Sequence, residues 1–192
     1  MNFFFLRHTS LNVSQETFYG QTDLDVSKNF EAELEKIKIK LIKENVNPKK
    51  LKVYSSPLMR CKKLAKCISN NIVFDNRIME LNLGDWEMKP KKNIPSKVIK
   101  QWEDNLMTFK IPNGETNREF LSRLKSFLDE IVMEKKDVFV VSHAGSINGM
   151  ISILTGQPFD KLLKNYWEKL TYGSLSLVKF NNGSFKVKYV GK

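Results

Sequence analysis

The chain has only two histidines, and each follows directly on a short apolar run: His8 closes Phe3-Phe4-Phe5-Leu6-Arg7-His8, and His143 comes after Val138-Phe139-Val140-Val141-Ser142. A neutral imidazole is a nucleophile able to attack phosphorus. Arg7 adjoins the first histidine. A second arginine, Arg60, ends Ser55-Ser56-Pro57-Leu58-Met59-Arg60, a proline-marked helix start where backbone N–H groups and the helix dipole already favour an anion. Glu80 stands among Ile78, Met79, Leu81 and Leu83, where desolvation favours a protonated carboxyl able to act as a general acid. Together these five residues suit phosphoryl transfer: imidazole to attack, guanidinium groups to neutralise the non-bridging oxygens, and a carboxylic acid to protonate the leaving alkoxide. Asp23 and Glu87 are the next carboxylates that could serve as the acid. No Walker loop, aspartate-rich metal cluster or Cys-x5-Arg loop offers a competing chemistry.

For these residues to meet, the two apolar runs must be neighbouring buried strands that deliver both histidines to one sheet edge, the carboxyl edge where open α/β sheets bind ligands. Ser10 to Asp25 lacks an apolar period and reads as a long loop over that edge. Phe30, Leu34, Ile37 and Leu41 mark a helix with Ser27 as its N-cap. Leu51–Tyr54 and Ile72–Phe74 read as short strands, with a helix from the Ser56-Pro57 start to about Ser69 between them. Met88 to Lys110 is a basic, proline-containing excursion over the site, with a helix through Val98, Trp102 and Leu106. Thr116 and Glu119 form a capping box for a helix whose stripe is Phe120, Leu124, Phe127, Leu128 and Ile131. Another helix follows His143 to about Gly156, and a short one follows Pro158. Leu175–Phe180, Asn181-Asn182-Gly183 and Phe185–Val190 read as a terminal β-hairpin. The expected fold is one α/β domain over residues 1–192, a three-layer α/β/α sandwich with a mainly parallel sheet and a C-terminal antiparallel hairpin.

Composition narrows the partners. A net charge of +11 favours anionic partners, but the excess is lysine scattered over helices and turns, as expected of a solvated surface rather than a nucleic-acid stripe. Cys61 and Cys67 lie six apart in a helix, diverge, and have no metal-ligand spacing, which points to a reducing compartment. No run approaches the ~20 apolar residues of a membrane span, and the N-terminal run is too short for a signal peptide. The expectation is a cytoplasmic protein acting on a small phosphorylated metabolite, with neither nucleic acid nor membrane as partner.

Several segments resemble the histidine phosphatase superfamily, which includes cofactor-dependent phosphoglycerate mutases. They are Arg7-His8-Thr9, Ser56-Pro57-Leu58-Met59-Arg60, Glu80-Leu81-Asn82-Leu83-Gly84-Asp85-Trp86-Glu87, Pro112-Asn113-Gly114-Glu115-Thr116 and Val141-Ser142-His143-Ala144-Gly145, which together span about residues 2–155 in the family's order. The resemblance implies a phosphohistidine on His8, a phosphoryl group held by Arg7, Arg60 and His143, Glu80 as proton donor, and no metal or other cofactor. Thr9 replaces the family's usual glycine and Ser14 a common asparagine, so Ser14, Gln21 and Thr22 become candidates for the outer substrate contacts. The loop ending Tyr19-Gly20-Gln21-Thr22-Asp23 looks most like α-ribazole phosphatases, which implies hydrolysis of α-ribazole 5′-phosphate. A broad small-molecule phosphatase is the alternative within the family. A non-catalytic phosphate- or RNA-binding module is the alternative outside it, and such a module would not need a shielded acid beside a nucleophile.

Overall fold

Arg7 at the end of β1 (Asn2–Arg7) lies opposite Ser142 at the end of β4 (Val138–Ser142) in a parallel pair, so His8 and His143 leave the sheet side by side. The computed structural model describes residues 1–14 and 16–192. Among the described residues the sheet has six strands in the order β3 (Ile72–Phe74), β2 (Lys52–Ser55), β4, β1, β5 (Leu175–Asn181), β6 (Ser184–Tyr189). β2 and β3 extend the parallel part on one side. β5 runs antiparallel to β1 on the other and is followed by β6. The hairpin turn is Asn182-Gly183, with positive φ at both residues (51° and 79°), as a two-residue turn matching the strand twist requires.

The uninterrupted Phe3–Leu6 run follows from burial on both faces of the sheet. Phe3 and Phe5 pack with α4 (Asn117–Val132), α5 (Ala144–Thr155) and α6 (Phe159–Tyr166), while Leu6 packs on the opposite face with α1 (Phe30–Lys43) and α2 (Met59–Ile68). Burying each such phenylalanine contributes about 1.5–3 kcal/mol, and a one-residue slip of β1 would exchange its two faces. The three-layer sandwich with its antiparallel hairpin is thus as expected. Thr116 and Glu119 close the capping box in both directions, at 3.0 Å and 2.8 Å.

Three boundaries differ from the sequence reading. α1 has Asn29 rather than Ser27 as N-cap; the Ser27 hydroxyl accepts from the Asn29 N–H at 3.1 Å, just ahead of the helix, and meets that of Ser10 at 2.7 Å, which Glu33 binds in turn. α2 starts at Met59: the Ser56 hydroxyl faces His143, and Asp23 accepts from the Met59 N–H at 2.6 Å. α3 (Ser96–Asp104) ends before Leu106. The excursion builds its own small core from Leu83, Trp86, Ile94, Ile99 and Ile111, packed against Phe18 and Trp102. Among the described residues no helix is long and apolar enough to cross a membrane, and Cys61 and Cys67 are unpaired.

Candidate active site

Arg60 is 0% exposed and makes no ion pair with a carboxylate among the described residues. Its Nε donates to His143 Nδ1 at 3.2 Å, Nη1 to the Thr22 carbonyl at 2.8 Å, and Nη2 to the Gly20 carbonyl. Arg7 approaches from the other strand end. One Nη donates to the Leu170 carbonyl, the guanidinium lies 4.2 Å over the Tyr172 ring, and the buried Nε has no hydrogen-bond partner among the described residues. A buried charge without a counter-charge costs several kcal/mol. Both guanidinium groups are close enough to His8 for their charges to act on it, so a dianion beside that ring would be strongly favoured.

His8, 1% exposed, lies between them. Its Nδ1 is 2.8 Å from the Thr9 carbonyl, which can only accept, so the ring proton is on Nδ1 and Nε2 carries a free lone pair. Burial, with Arg7 and Arg60 adding to it and the Thr9 carbonyl opposing, holds the His8 pKa well below the usual histidine value. The ring is neutral at pH 7 and suited to attack. His143, whose ring centroid is 5.2 Å from that of His8, is tied at both nitrogens: Nδ1 accepts from Arg60, and Nε2–H donates to Ser56 Oγ at 2.8 Å. Burial first, and then Arg60 and the other charges, lower its pKa too. The buried Cys61 thiol, 3.6 Å from His143 Nε2, is pushed up to about 12 by burial and stays un-ionised.

The linked pH dependence has a definite sign. In the unfolded chain both histidines titrate near their ordinary value of 6.5, while in the folded chain they titrate well below it. As pH falls below that value, the unfolded state takes up protons that the folded state refuses, and stability drops until the folded-state pKa values are reached. The slope should approach about 1.4 kcal/mol per pH unit for each histidine. Urea midpoints measured from about pH 7 down to about pH 5.5 should therefore fall steadily; a flat profile would contradict the burial of two neutral histidines.

Glu80 is half-buried rather than enclosed by apolar side chains. Its Oε1 accepts from the Leu81 N–H and its Oε2 from the Gly145 N–H, each at 2.9 Å, the latter in the first turn of α5. A Cβ at Gly145 would come too close to Oε1, so any side chain there would displace the Glu80 carboxyl group. The Glu80 segment is fixed from behind by Arg123, which donates to the carbonyls of Arg77, Met79 and Glu80 and pairs with Glu115 at 2.6 Å.

The structure thus brings together Arg7, His8, Arg60, Glu80 and His143. The three outer candidates are placed differently. Gln21 donates to the Glu80 carbonyl at 3.0 Å, and the Thr22 hydroxyl to Glu87 at 2.6 Å, so both side chains brace the scaffold. Ser14 is exposed, its hydroxyl accepting from the Glu16 N–H. Glu87 also accepts from the N–H groups of Gly20, Gln21, Thr22 and Leu83; burial would raise its pKa, but these donors hold it below the usual carboxylate value, and it anchors the loop as an anion. Sequence reasoning missed Tyr172, 5.6 Å from His8, and Tyr19, whose hydroxyls meet at 2.7 Å. Burial and that hydrogen bond raise the Tyr19 pKa. Tyr19 lay in the flagged loop, but nothing local marks Tyr172, which reaches the site because β5 borders β1.

The chain is similar to known proteins over most of its length. A relative from Hydrogenobacter thermophilus, named "Putative phosphoserine phosphatase 2", is 26% identical over 169 residues, covering 83% of this chain and 81% of its own. The same fold occurs in the α-ribazole phosphatase of Shigella flexneri, with a TM-score of 0.82 at 20% identity, covering 100% of this chain and 96% of that one. A mycobacterial glucosyl-3-phosphoglycerate phosphatase has it too, with a TM-score of 0.79 at 19% identity, covering 99% and 98%. The sequence model of the histidine phosphatase superfamily (branch 1) matches residues 3–192, and the chain belongs to that superfamily.

Proposed function

We propose that the protein hydrolyses phosphomonoesters through a phosphohistidine on His8, and that its substrate is α-ribazole 5′-phosphate. The observation that carries the reaction is the asymmetry of the two imidazoles: His8 has Nδ1 pinned and Nε2 open, whereas both nitrogens of His143 are engaged. In the first step the Nε2–P bond forms as the ester P–O bond breaks, and Glu80 gives its proton to the leaving oxygen. In the second, water attacks the phosphohistidine, Glu80 takes a proton back, and inorganic phosphate leaves with His8 neutral again. Arg7 and Arg60 neutralise the phosphoryl oxygens in both steps, and the Nε2–H of His143 exchanges Ser56 Oγ for a phosphoryl oxygen when the ester binds. The substrate assignment is supported by the Arg7-His8-Thr9 and Tyr19-Gly20-Gln21-Thr22-Asp23 resemblances and by the fold shared with an α-ribazole phosphatase.

Turnover of a panel of phosphorylated metabolites, including α-ribazole 5′-phosphate, phosphoserine and 3-phosphoglycerate, tests this reading when run in EDTA. α-Ribazole 5′-phosphate should lead the panel, and activity should survive the chelator because Arg7 and Arg60 supply the cationic charge. A different leading substrate would overturn the substrate assignment. Loss of activity in EDTA, restored by Mg²⁺ or Zn²⁺, would overturn the mechanism.

A further inference from the structure

Glu80 and Gly145 help to line a cavity of about 380 Å³ whose other lining residues come from distant parts of the chain. That volume is within the roughly 300–1,000 Å³ of small-molecule sites. One wall is Phe18 and Trp102, from the first loop and the excursion; the other is Phe159 and Trp167, from α6 and its end. Trp102 is set edge-on against both Phe18 and Trp86, at interplanar angles of 89° and 90°, so the small core of the excursion holds its ring in place. Trp167 is 56% exposed, an unusual position for the largest apolar side chain. It lines the cavity while remaining largely open to solvent. The charged side chains of the lining are Glu80 and Lys164, which is exposed.

We infer that this cavity binds the alcohol portion of the substrate and selects a flat, uncharged, apolar ring system, with Trp102 and Trp167 as the specificity-determining residues. The inference rests on the phosphatase reading, because it places the leaving oxygen at Glu80 and the rest of the ester beyond it. An ester held with its phosphoryl group between Arg7 and Arg60 and its leaving oxygen at Glu80 has this cavity directly beside it. Aromatic walls favour stacking and exclude water from a ring, whereas a carboxylate in the alcohol portion, as in phosphoserine or phosphoglycerate, would meet rings where it needs cations. A fused bicycle such as a benzimidazole has the shape and polarity that the walls demand.

The test is equilibrium binding of two stable phosphonates, methylphosphonate and (2-naphthyl)methylphosphonate, followed by calorimetry. The naphthyl compound should bind about tenfold tighter or more. In Trp102→Ala and Trp167→Ala the ratio between the two ligands should shrink towards one, and Trp102→Phe and Trp167→Phe should restore most of it. Trp167, being largely exposed, can be truncated without opening the core, so its variant answers the question even if Trp102→Ala does not fold. Equal affinities for the two phosphonates, or no binding of either, would overturn the inference. Turnover of phosphate esters without ring preference would remove the cavity's role and leave the phosphatase reading intact; ring preference without turnover of any ester would do the reverse.

Discussion

Replacing His8 by alanine should lower turnover by a factor on the order of 10⁴ or more, the scale of loss when a covalent nucleophile is removed from a preorganised site. The loss should lie in kcat. In the proposed mechanism Arg7 and Arg60 hold the phosphoryl oxygens independently of the attacking nitrogen, so inhibition by inorganic phosphate should change far less, by under about tenfold. Because His8 is buried, the substitution also leaves a small cavity, and the variant's urea midpoint should be measured alongside its activity. Turnover within about tenfold of the parent would mean that another group attacks phosphorus.

The second large effect is expected at Glu80, and its size depends on the leaving group. An alkoxide needs a proton to depart, whereas p-nitrophenolate is already stabilised. Glu80→Gln should therefore slow an alkyl phosphate by about 10²- to 10⁴-fold, the range for a positioned acid, and p-nitrophenyl phosphate much less. The amide also disturbs the site: Glu80 accepts from two backbone N–H groups, and a glutamine can accept with only one of its two terminal atoms. That cost applies equally to both substrates, so the ratio of their single-turnover phosphorylation rates isolates the proton transfer. Equal losses on both would remove Glu80 from the acid role. Glu87 and Asp23 would be poor replacements, since one is anchored as an anion by its backbone donors and the other caps the start of α2.

The parts of the site carried by regular structure could be read from the sequence, because burial imposes itself on residue type. Phe3–Leu6 and Val138–Val141 must be covered on both faces, and once they are parallel neighbours His8 and His143 can only emerge together. Arg60 was legible because Ser56-Pro57 marks the approach to a helix; α2 starts two residues later, at Met59, and Arg60 still lies in its first turn. What was not legible is where loop side chains turn. Gln21 and Thr22 could as well have faced a substrate; they face Glu87 and the Glu80 carbonyl because those groups, 59 to 65 residues away, hold them there. Tyr172 comes to His8 through sheet order alone. Glu80 shows both cases: its apolar neighbours were visible, but the Gly145 N–H that orients it comes from a helix 65 residues further on. The cavity lined by Trp102 and Trp167 is likewise a product of tertiary packing, in which neither residue's own segment shows what it faces.

The central claim is that His8, and not His143, carries the phosphoryl group. The most direct measurement mixes excess enzyme with a radiolabelled phosphate ester, quenches rapidly into alkali, and maps the labelled peptide. The label should be stable in base and labile in acid, reside on the peptide containing His8, be absent in His8→Ala, and still form, more slowly, in His143→Ala. A label on His143, or one that persists in His8→Ala, would contradict the account.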